Sequence, residues 1–536
     1  MNLPRISIPP NRTRWLLALF ATALIVSLLE AFSVSQPGTM DACYYYSGGL
    51  NIFQGRGMNE YFYWNYLEGS GALPHPGFLY WMPLTSFVAA AGMFLLRDGF
   101  RQAQIPFLLL SVAFPLWVCW LGVKLTASFR TGVVAGFLSI FSGFYAIYWL
   151  NTESFLLFAW IGSLTFYIVS VLLHRPRWYL SVLTGILCGL AHLTRADGIL
   201  LVPLACLAIL VACPGTLLRR ATYMLGTSAG YLLTSGFWYL RNVSAFGSFL
   251  PSATGNALWL TAYNDLFHIP ASDLTPERFF SGGLLPLITA RGTAVLWNTE
   301  TAIFVLGMVF LFPLICWGAY RLRKQPVMTI GIGYFLLIYF VMSIVYPFQG
   351  SRGGFFHSSA ALIPLAAVAA ALGLDEVISR LGKVRNWRID SAQTFFAVGF
   401  ILLALVSTGV IFYQRVIGSD PSRTSWSALN TDYSAGVQRL GSLPAGTLFM
   451  VNNPPCFYVQ TGMEAIPIPD GDAETLLSAA DRSGAQYVIL DSNVPDGLLP
   501  LYQQTISVPR LEKVWEDQRD GVTFVWFLVK PPPRPS

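Results

Sequence analysis

The chain has 536 residues, of which 54% are hydrophobic, 15% aromatic and only 11% charged. That composition excludes an ordinary water-soluble enzyme and a disordered chain, and it points to a protein that crosses a membrane many times. The net charge of +6 is sorted along the chain: 24 Lys/Arg against 14 Asp/Glu before Arg415, and 9 against 13 from Arg415 onward. A lipid-embedded body with basic loops therefore precedes a mildly acidic, water-soluble tail, a distribution that does not suit a nucleic-acid partner.

The apolar run Trp15 to Ser33 follows Arg5, Arg12 and Arg14, so the positive-inside bias puts the N-terminus in the cytoplasm and makes this run an uncleaved signal anchor. Further apolar runs lie near 77–96, 105–122, 132–150, 153–173, 178–193, 198–213, 221–239, 295–318, 327–346, 355–374 and 392–413. The stretch 77–96 decides the topology. If it crossed, Lys124/Arg130, Arg175/Arg177, Arg219/Arg220, Arg321/Arg323/Lys324 and Arg380/Lys383/Arg385/Arg388 would all lie outside. If it lies along the membrane, those 13 bases are cytoplasmic, against 7 outside in the same region. The basic-loop bias, and the prolines and rings of LPHPGFLYW, favour a juxtamembrane helix at 77–96 within a first outer loop 34–104. About eleven helices then span. The outer side receives 34–104, the turns at 151–153 and Thr194–Gly198, the loop 241–294, and everything after Gln414.

On this sorting the outer face of the membrane body carries Arg56, Arg97, Arg101, Arg195, Arg241, Arg278, Arg291 and Arg352, and no lysine. Arginine grips phosphate oxygens with a planar fork, whereas lysine offers a point charge, so the set suits a phosphate-bearing ligand. Two acids share that face: Asp41, among the aromatics and glycines of GTMDACYYYSGGLNIFQGRG, and Glu153, which opens a span in YWLNTESFLLF. Carboxylates beside arginines at a lipid boundary fit transfer of a sugar from a lipid phosphate. One acid takes the proton of the acceptor hydroxyl, and cationic groups stabilise the departing phosphate.

The motifs DACYYYSGGLNIFQGRG, HPGFLYW, NTES, LTRADG, RN…GSFLP and SRGGFFHSSAALIPL, together with Arg101, follow an order that resembles the GT-C class of multi-spanning glycosyltransferases over residues 15–413. The likeness is greatest to glycosyltransferase family 39 and the protein-mannosyltransferase-like proteins, which use polyprenyl-phosphate sugars. The resemblance implies that Asp41 and Glu153 are catalytic, and that they are the ligands of a divalent cation if one is used. It also implies that Arg101 and Arg352 lie near the donor phosphate. Arg195, Arg241, His75, Tyr44 and Tyr45 are further candidates for substrate binding. The chain departs from many relatives where Asp41–Ala42 stands for two adjacent acids and where Pro76–Gly77, preceded by His75, stands for Pro-Pro.

Residues 414–536 form a separate domain in this reading, after a membrane module 1–413. TLFMVNNPPCFYVQTG, AQYVILDSN and DGVTFVWFLVK read as strands, and AETLLSAADRSG as a helix ending at Gly484, which gives a small extracytoplasmic α/β domain. Phe457, Tyr458 and Tyr487 are core residues there before they are a sugar platform. Five of the seven cysteines sit in apolar runs; Cys43 and Cys456 do not, and the spacing shows neither a metal-ligand pattern nor a disulfide framework.

The whole describes a polytopic α-helical, GT-C-like membrane protein of the cell or inner membrane. Its expected activity is hexosyl or pentosyl transfer from a polyprenyl-phosphate donor to a glycan, lipid or protein acceptor. A transporter or flippase of lipid-linked saccharides is the alternative, and an inactive scaffold a third. Transporters tend to show mid-span coupling charges and paired repeats with broken helices, and neither is evident here. The topology is testable by cysteine substitution at Asp98 and Ser492. An impermeant thiol reagent should label both in intact cells, and labelling of position 492 only after lysis would overturn the assignment.

Overall fold

The computed structural model describes residues 11–67, 71–419, 426, 433–519 and 522–532. Arg5, counted with the N-terminal bases, lies outside them. The chain divides into two compact units, one of Met1–Ser35, Gln104–Arg241 and Ala290–Pro421, the other of Gln36–Ala103, Asn242–Thr289 and Ser422–Ser536.

The first unit is helical. Among the described residues six segments are long and apolar enough to cross a membrane: Arg12–Ser33, Phe100–Thr126, Ser154–His174, Pro326–Val345, Pro347–Arg385 and Ile389–Ile417. Shorter apolar helices include Phe129–Ile140 and Trp178–Thr194. Their side chains are apolar because lipid offers no partner for polar groups, and within each helix the backbone satisfies itself. Where two helices meet closely, small residues make room. A Cβ on Gly318 would fall 1.9 Å from the Ala369 carbonyl oxygen, and one on Gly373 would fall 2.2 Å from that of Leu314. Helices Phe312–Leu322 and Ile363–Arg385 thus pack backbone to backbone. An ion pair between Arg130 and Asp375, with Thr131 donating to Asp375 at 2.8 Å, ties helix Phe129–Ile140 to Ile363–Arg385. The apolar run at 295–318 is not one helix. Leu284–Glu300 passes into a wider turn at Thr301–Leu306, and Met308 (φ 45°) and Val309 (φ 60°) interrupt the path before Phe312.

The second unit combines short helices with a five-stranded sheet. Helix Met40–Phe53 is N-capped by Thr39, whose hydroxyl accepts from the Ala42 N–H at 3.1 Å. The expected helix at 77–96 forms over Leu84–Leu96; the residues before it are irregular, with Phe78 at φ 61°. In the sheet the order is Ala465–Pro467, Phe449–Val451, Tyr487–Leu490, Val522–Val529, Leu511–Arg519, the first three strands parallel and the last two antiparallel. Helix Ala473–Ser483 stops at Gly484 (φ 77°), as the sequence predicts, and is capped by Asp472.

One expected strand is mostly helix. Within TLFMVNNPPCFYVQTG only Phe449–Val451 extends; Asn453 then caps helix Pro454–Thr461. Two consecutive prolines have no N–H to give a sheet ladder, but they fit a first helical turn, where that N–H has no partner anyway. Leu511–Arg519 is a strand that the sequence reading passed over. Its alternation is obscured by charged residues on an edge.

The first loop and the tail are built into each other. Phe62 pairs with Ala465 at the sheet edge, and the Tyr63 N–H donates to the Ala465 carbonyl at 3.0 Å. The Tyr66 hydroxyl reaches the Pro467 carbonyl at 2.6 Å. Tyr458 stacks on Tyr61, donates to Asn51 Oδ1 at 3.1 Å and accepts from Arg56 at 2.9 Å. Cys43 and Cys456 form a disulfide, Cα atoms 5.0 Å apart, where the cysteine spacing had shown no disulfide framework. No local spacing could reveal it, since the partners are 413 residues apart. In the loop 241–294, Asp265 is buried, which pushes its carboxyl up. The Arg278 guanidinium and the N–H groups of Thr261 and Ala262 outweigh that effect and hold it below the usual carboxylate range.

The disulfide is countable. Alkylating the denatured protein without reductant should modify five of the seven cysteines, and all seven after reduction. Seven modified without reductant would refute the bond.

Candidate active site

Glu153 takes an extended conformation (φ −123°, ψ 164°) just before helix Ser154–His174. Asn151 and Thr152 before it are fully buried, and Glu153 itself is 2% exposed. Asn151 Nδ2 donates to Glu153 Oε1 at 3.2 Å, while the Glu153 N–H goes to the Asn151 carbonyl at 2.8 Å. The tight NTES turn thereby withdraws a carboxylate from water and meets it with an amide, at a helix N-terminus whose dipole favours negative charge.

Two residues on, Phe155 stacks against the His357 ring, centroids 3.9 Å apart and planes inclined 22°. A ring nitrogen of His357 and a carboxylate oxygen of Glu153 lie within 4.8 Å. His357 sits on the short helix Phe355–Ser359, which follows a break at Arg352 (φ −97°, ψ 26°) and Gly353 (φ 115°). Only glycine enters that φ region at low cost, so the GG of SRGGFFH aims the following turn.

A second polar group meets the same turn. After helix Trp178–Thr194 the chain extends at Arg195, and Nε of Arg195 donates to Asp197 Oδ1 at 2.9 Å, both side chains largely buried. The other oxygen of Asp197 accepts from the hydroxyl of Ser358. The Ser358 carbonyl in turn accepts from Tyr334 at 3.1 Å. The Arg195 guanidinium lies 5.9 Å over the Phe158 ring, one helical turn beyond Phe155. One face of helix Ser154–His174 therefore carries Glu153, the ring under His357 and the ring under Arg195. Carboxylate, imidazole and guanidinium are brought together in poorly solvated surroundings, where each interacts more strongly than in water.

His357 and Asp197 were not singled out in the sequence. Both lie inside quoted motifs, SRGGFFHSSAALIPL and LTRADG. The signal available was a polar residue in an otherwise small or apolar motif. His192 was also passed over: it is buried, and its Nδ1 bonds the Tyr231 hydroxyl at 2.6 Å, which in turn bonds Tyr239 at 2.6 Å.

Of the remaining candidates in this unit, Arg352 is exposed at the break, and Arg241 lies 5.0 Å over Trp238. The others belong to the second unit. Asp41 is half-buried in the first turn of helix Met40–Phe53, and Arg101 is exposed. Tyr44 and Tyr45, expected at a binding surface, are each 2% exposed. Tyr44 spends its hydroxyl on Glu60, which also accepts from the Phe78 N–H at 2.6 Å. His75 is buried against Tyr63 (centroids 4.1 Å, planes 2°), with Nε2 3.0 Å from the Phe62 carbonyl and 3.7 Å from Glu60. In the tail Phe457 and Tyr458 are buried, so packing is their evident role.

No protein-family model and no curated protein matches the sequence. The fold does match. ArnT from Cupriavidus metallidurans in the apo state superposes with a TM-score of 0.53 at 15% identity, covering 97% of this chain and 99% of that one. The same protein bound to undecaprenyl phosphate gives 0.54 at 14% identity, covering 97% and 100%. Over almost its whole length, then, the chain has the GT-C fold that the sequence motifs imply for residues 15–413.

Proposed function

We propose that the chain is a membrane glycosyltransferase that moves a hexosyl or pentosyl group from a polyprenyl-phosphate donor to an acceptor hydroxyl on the outer face of the membrane. The observation that carries this reading is the fold shared along almost the whole chain with an ArnT structure that holds undecaprenyl phosphate. The buried Glu153–His357 and Arg195–Asp197–Ser358 groups support it from within the chain. The finer likeness to family 39 rests on the motifs alone.

In this reading Asp41 takes the proton of the acceptor hydroxyl as its oxygen attacks the anomeric carbon. The bond from that carbon to the phosphate oxygen breaks, and the configuration inverts. The polyprenyl phosphate leaves with the bonding pair, and Arg352, Arg101, Arg195 and Arg241 meet its charge. Glu153 orients the acceptor. The Glu153 carboxylate and the His357 ring, one ligand atom each, suit a divalent cation, with Asp41 the other candidate; such an ion would supply Lewis-acid stabilisation of the leaving phosphate. Nucleic acid has no part in this scheme.

The disulfide supports an outer location for the unit that contains the first loop and the tail, since structural disulfides persist in oxidising compartments. The acceptor is a glycan, lipid or protein hydroxyl.

The experiment is transfer from labelled polyprenyl-phosphate sugars by purified protein. Asp41→Asn should lower turnover by roughly 10²–10⁴ with little change in stability, the range for a lost general base. Glu153→Gln should lower it less if Glu153 orients the acceptor, and comparably if the acids act as one unit. Arg352→Lys should weaken donor binding although charge is kept, because the fork is lost. Folded Asp41→Asn protein that transfers at the parental rate would remove Asp41 from the reaction. Failure of the parent with every donor would sink the reading.

A further inference from the structure

Helix Arg12–Ser33 carries one acid, Glu30, in its last turn, where the Val34 N–H caps the Glu30 carbonyl at 2.8 Å. The residue is 6% exposed in an otherwise apolar span. Its side chain lines a small internal cavity with Ser27 of the same helix, Ser111 and Pro115 of helix Phe100–Thr126, and Ser139 of helix Phe129–Ile140. Among the described residues the carboxyl has no hydrogen-bond or ion-pair partner, and no Lys, Arg or His lines the cavity. There is room for one water-sized occupant.

Ala23, Val26, Phe114, Ile140 and Trp149 complete the lining, and its polar side chains offer more lone pairs than free hydrogens. Ser27 and Ser111 hydroxyls bond each other at 2.9 Å, which consumes one of their two hydrogens. Ser139 spends its hydrogen on the Gly136 carbonyl at 2.8 Å, so only its lone pairs remain to be met. Pro115 has no N–H for the Ser111 carbonyl four residues earlier, which leaves that oxygen without its helical donor. The last turn of a helix also presents the negative end of its dipole, where an acid is disfavoured and a cation favoured. A carboxylate, hydroxyl lone pairs and a freed backbone carbonyl are the hard-oxygen ligands that a small cation takes inside a membrane protein.

We propose that this cavity binds a single monovalent cation, sodium being the one whose size and preference for oxygen fit, with Glu30 as the charged ligand and Ser27, Ser111 and Ser139 as neutral ones. The site ties the N-terminal helix to the two helices beside it. It is independent of the transfer chemistry and makes no use of Asp41, Glu153 or the arginines.

The test is thermal unfolding of the purified full chain in sodium chloride against choline chloride at equal ionic strength. A ligand that binds only the folded state raises the unfolding temperature saturably with its concentration. The parent should show that rise with sodium and not with choline, and Glu30→Gln should abolish it. If Glu30→Gln does not fold, Ser139→Ala carries the test, with the half-saturating sodium concentration raised roughly tenfold by loss of one ligand to a charge. Equal curves in the two salts would overturn the proposal, as would a parental sodium response in the folded variants. A response to pH alone would also overturn it, the cavity then holding a protonated carboxyl and a water.

Discussion

A carboxylate withdrawn from water has to be met by donors or by counter-charge, because the desolvation of an unpaired ion costs more than a fold can spare. Among the described residues four acids are buried, Glu30, Glu60, Glu153 and Asp265, and the polar architecture is arranged around them. Glu60 gathers the Tyr44 hydroxyl and the Phe78 N–H, and so fixes the entry to helix Leu84–Leu96. Asp265 gathers Arg278 and two backbone N–H groups, and so fixes the loop 241–294. Glu153 has Asn151 on one side and His357 on the other. Glu30 has serine hydroxyls as its polar company and apolar side chains for the rest. The first two read as structure; the other two are the buried acids on which the proposals above rest.

The same logic separates the arginines. Arg278 is committed to Asp265 and Arg56 to Tyr458, which makes both part of the scaffold. Arg195 bonds Asp197 through Nε, which fixes the guanidinium plane. An arginine oriented by a neighbouring acid loses less freedom on meeting a phosphate than one that is loose in solvent. The arginines that the sequence reading assigns to the outer face are therefore a mixture, and the absence of lysine among them has more than one cause.

How much could be read from the chain depended on the range of the interaction. Helix Ala473–Ser483, with its Asp472 cap and Gly484 stop, and the strand Tyr487–Leu490 are written in local pattern, and they form where expected. The GT-C fold was legible from the order of motifs. Pro454–Pro455 misled only because an apolar run was weighed above the missing N–H groups. The Cys43–Cys456 bond, the pairing of Phe62 with Ala465 and the approach of His357 to Glu153 all join distant segments, and no window of sequence contains them. Tyr44 looked like a binding residue because an aromatic run beside an acid is ambiguous until its hydroxyl is seen bonded to Glu60.

The 413-residue interval between Cys43 and Cys456 also sets a schedule. At about 5–20 residues per second of synthesis, Cys43 waits roughly 20–80 s as a thiol before its partner exists. Throughout that interval the helix that carries Asp41 is secured only by its own cap and its neighbours in the first loop, while the intervening helices are threaded into the bilayer. Cys43 is in that period open to the wrong partner, including a second nascent chain. The remaining five cysteines all lie in the membrane body rather than in this unit, so within the unit the growing chain offers no competing thiol. Mispairing within the unit is thus avoided by where the cysteines are not.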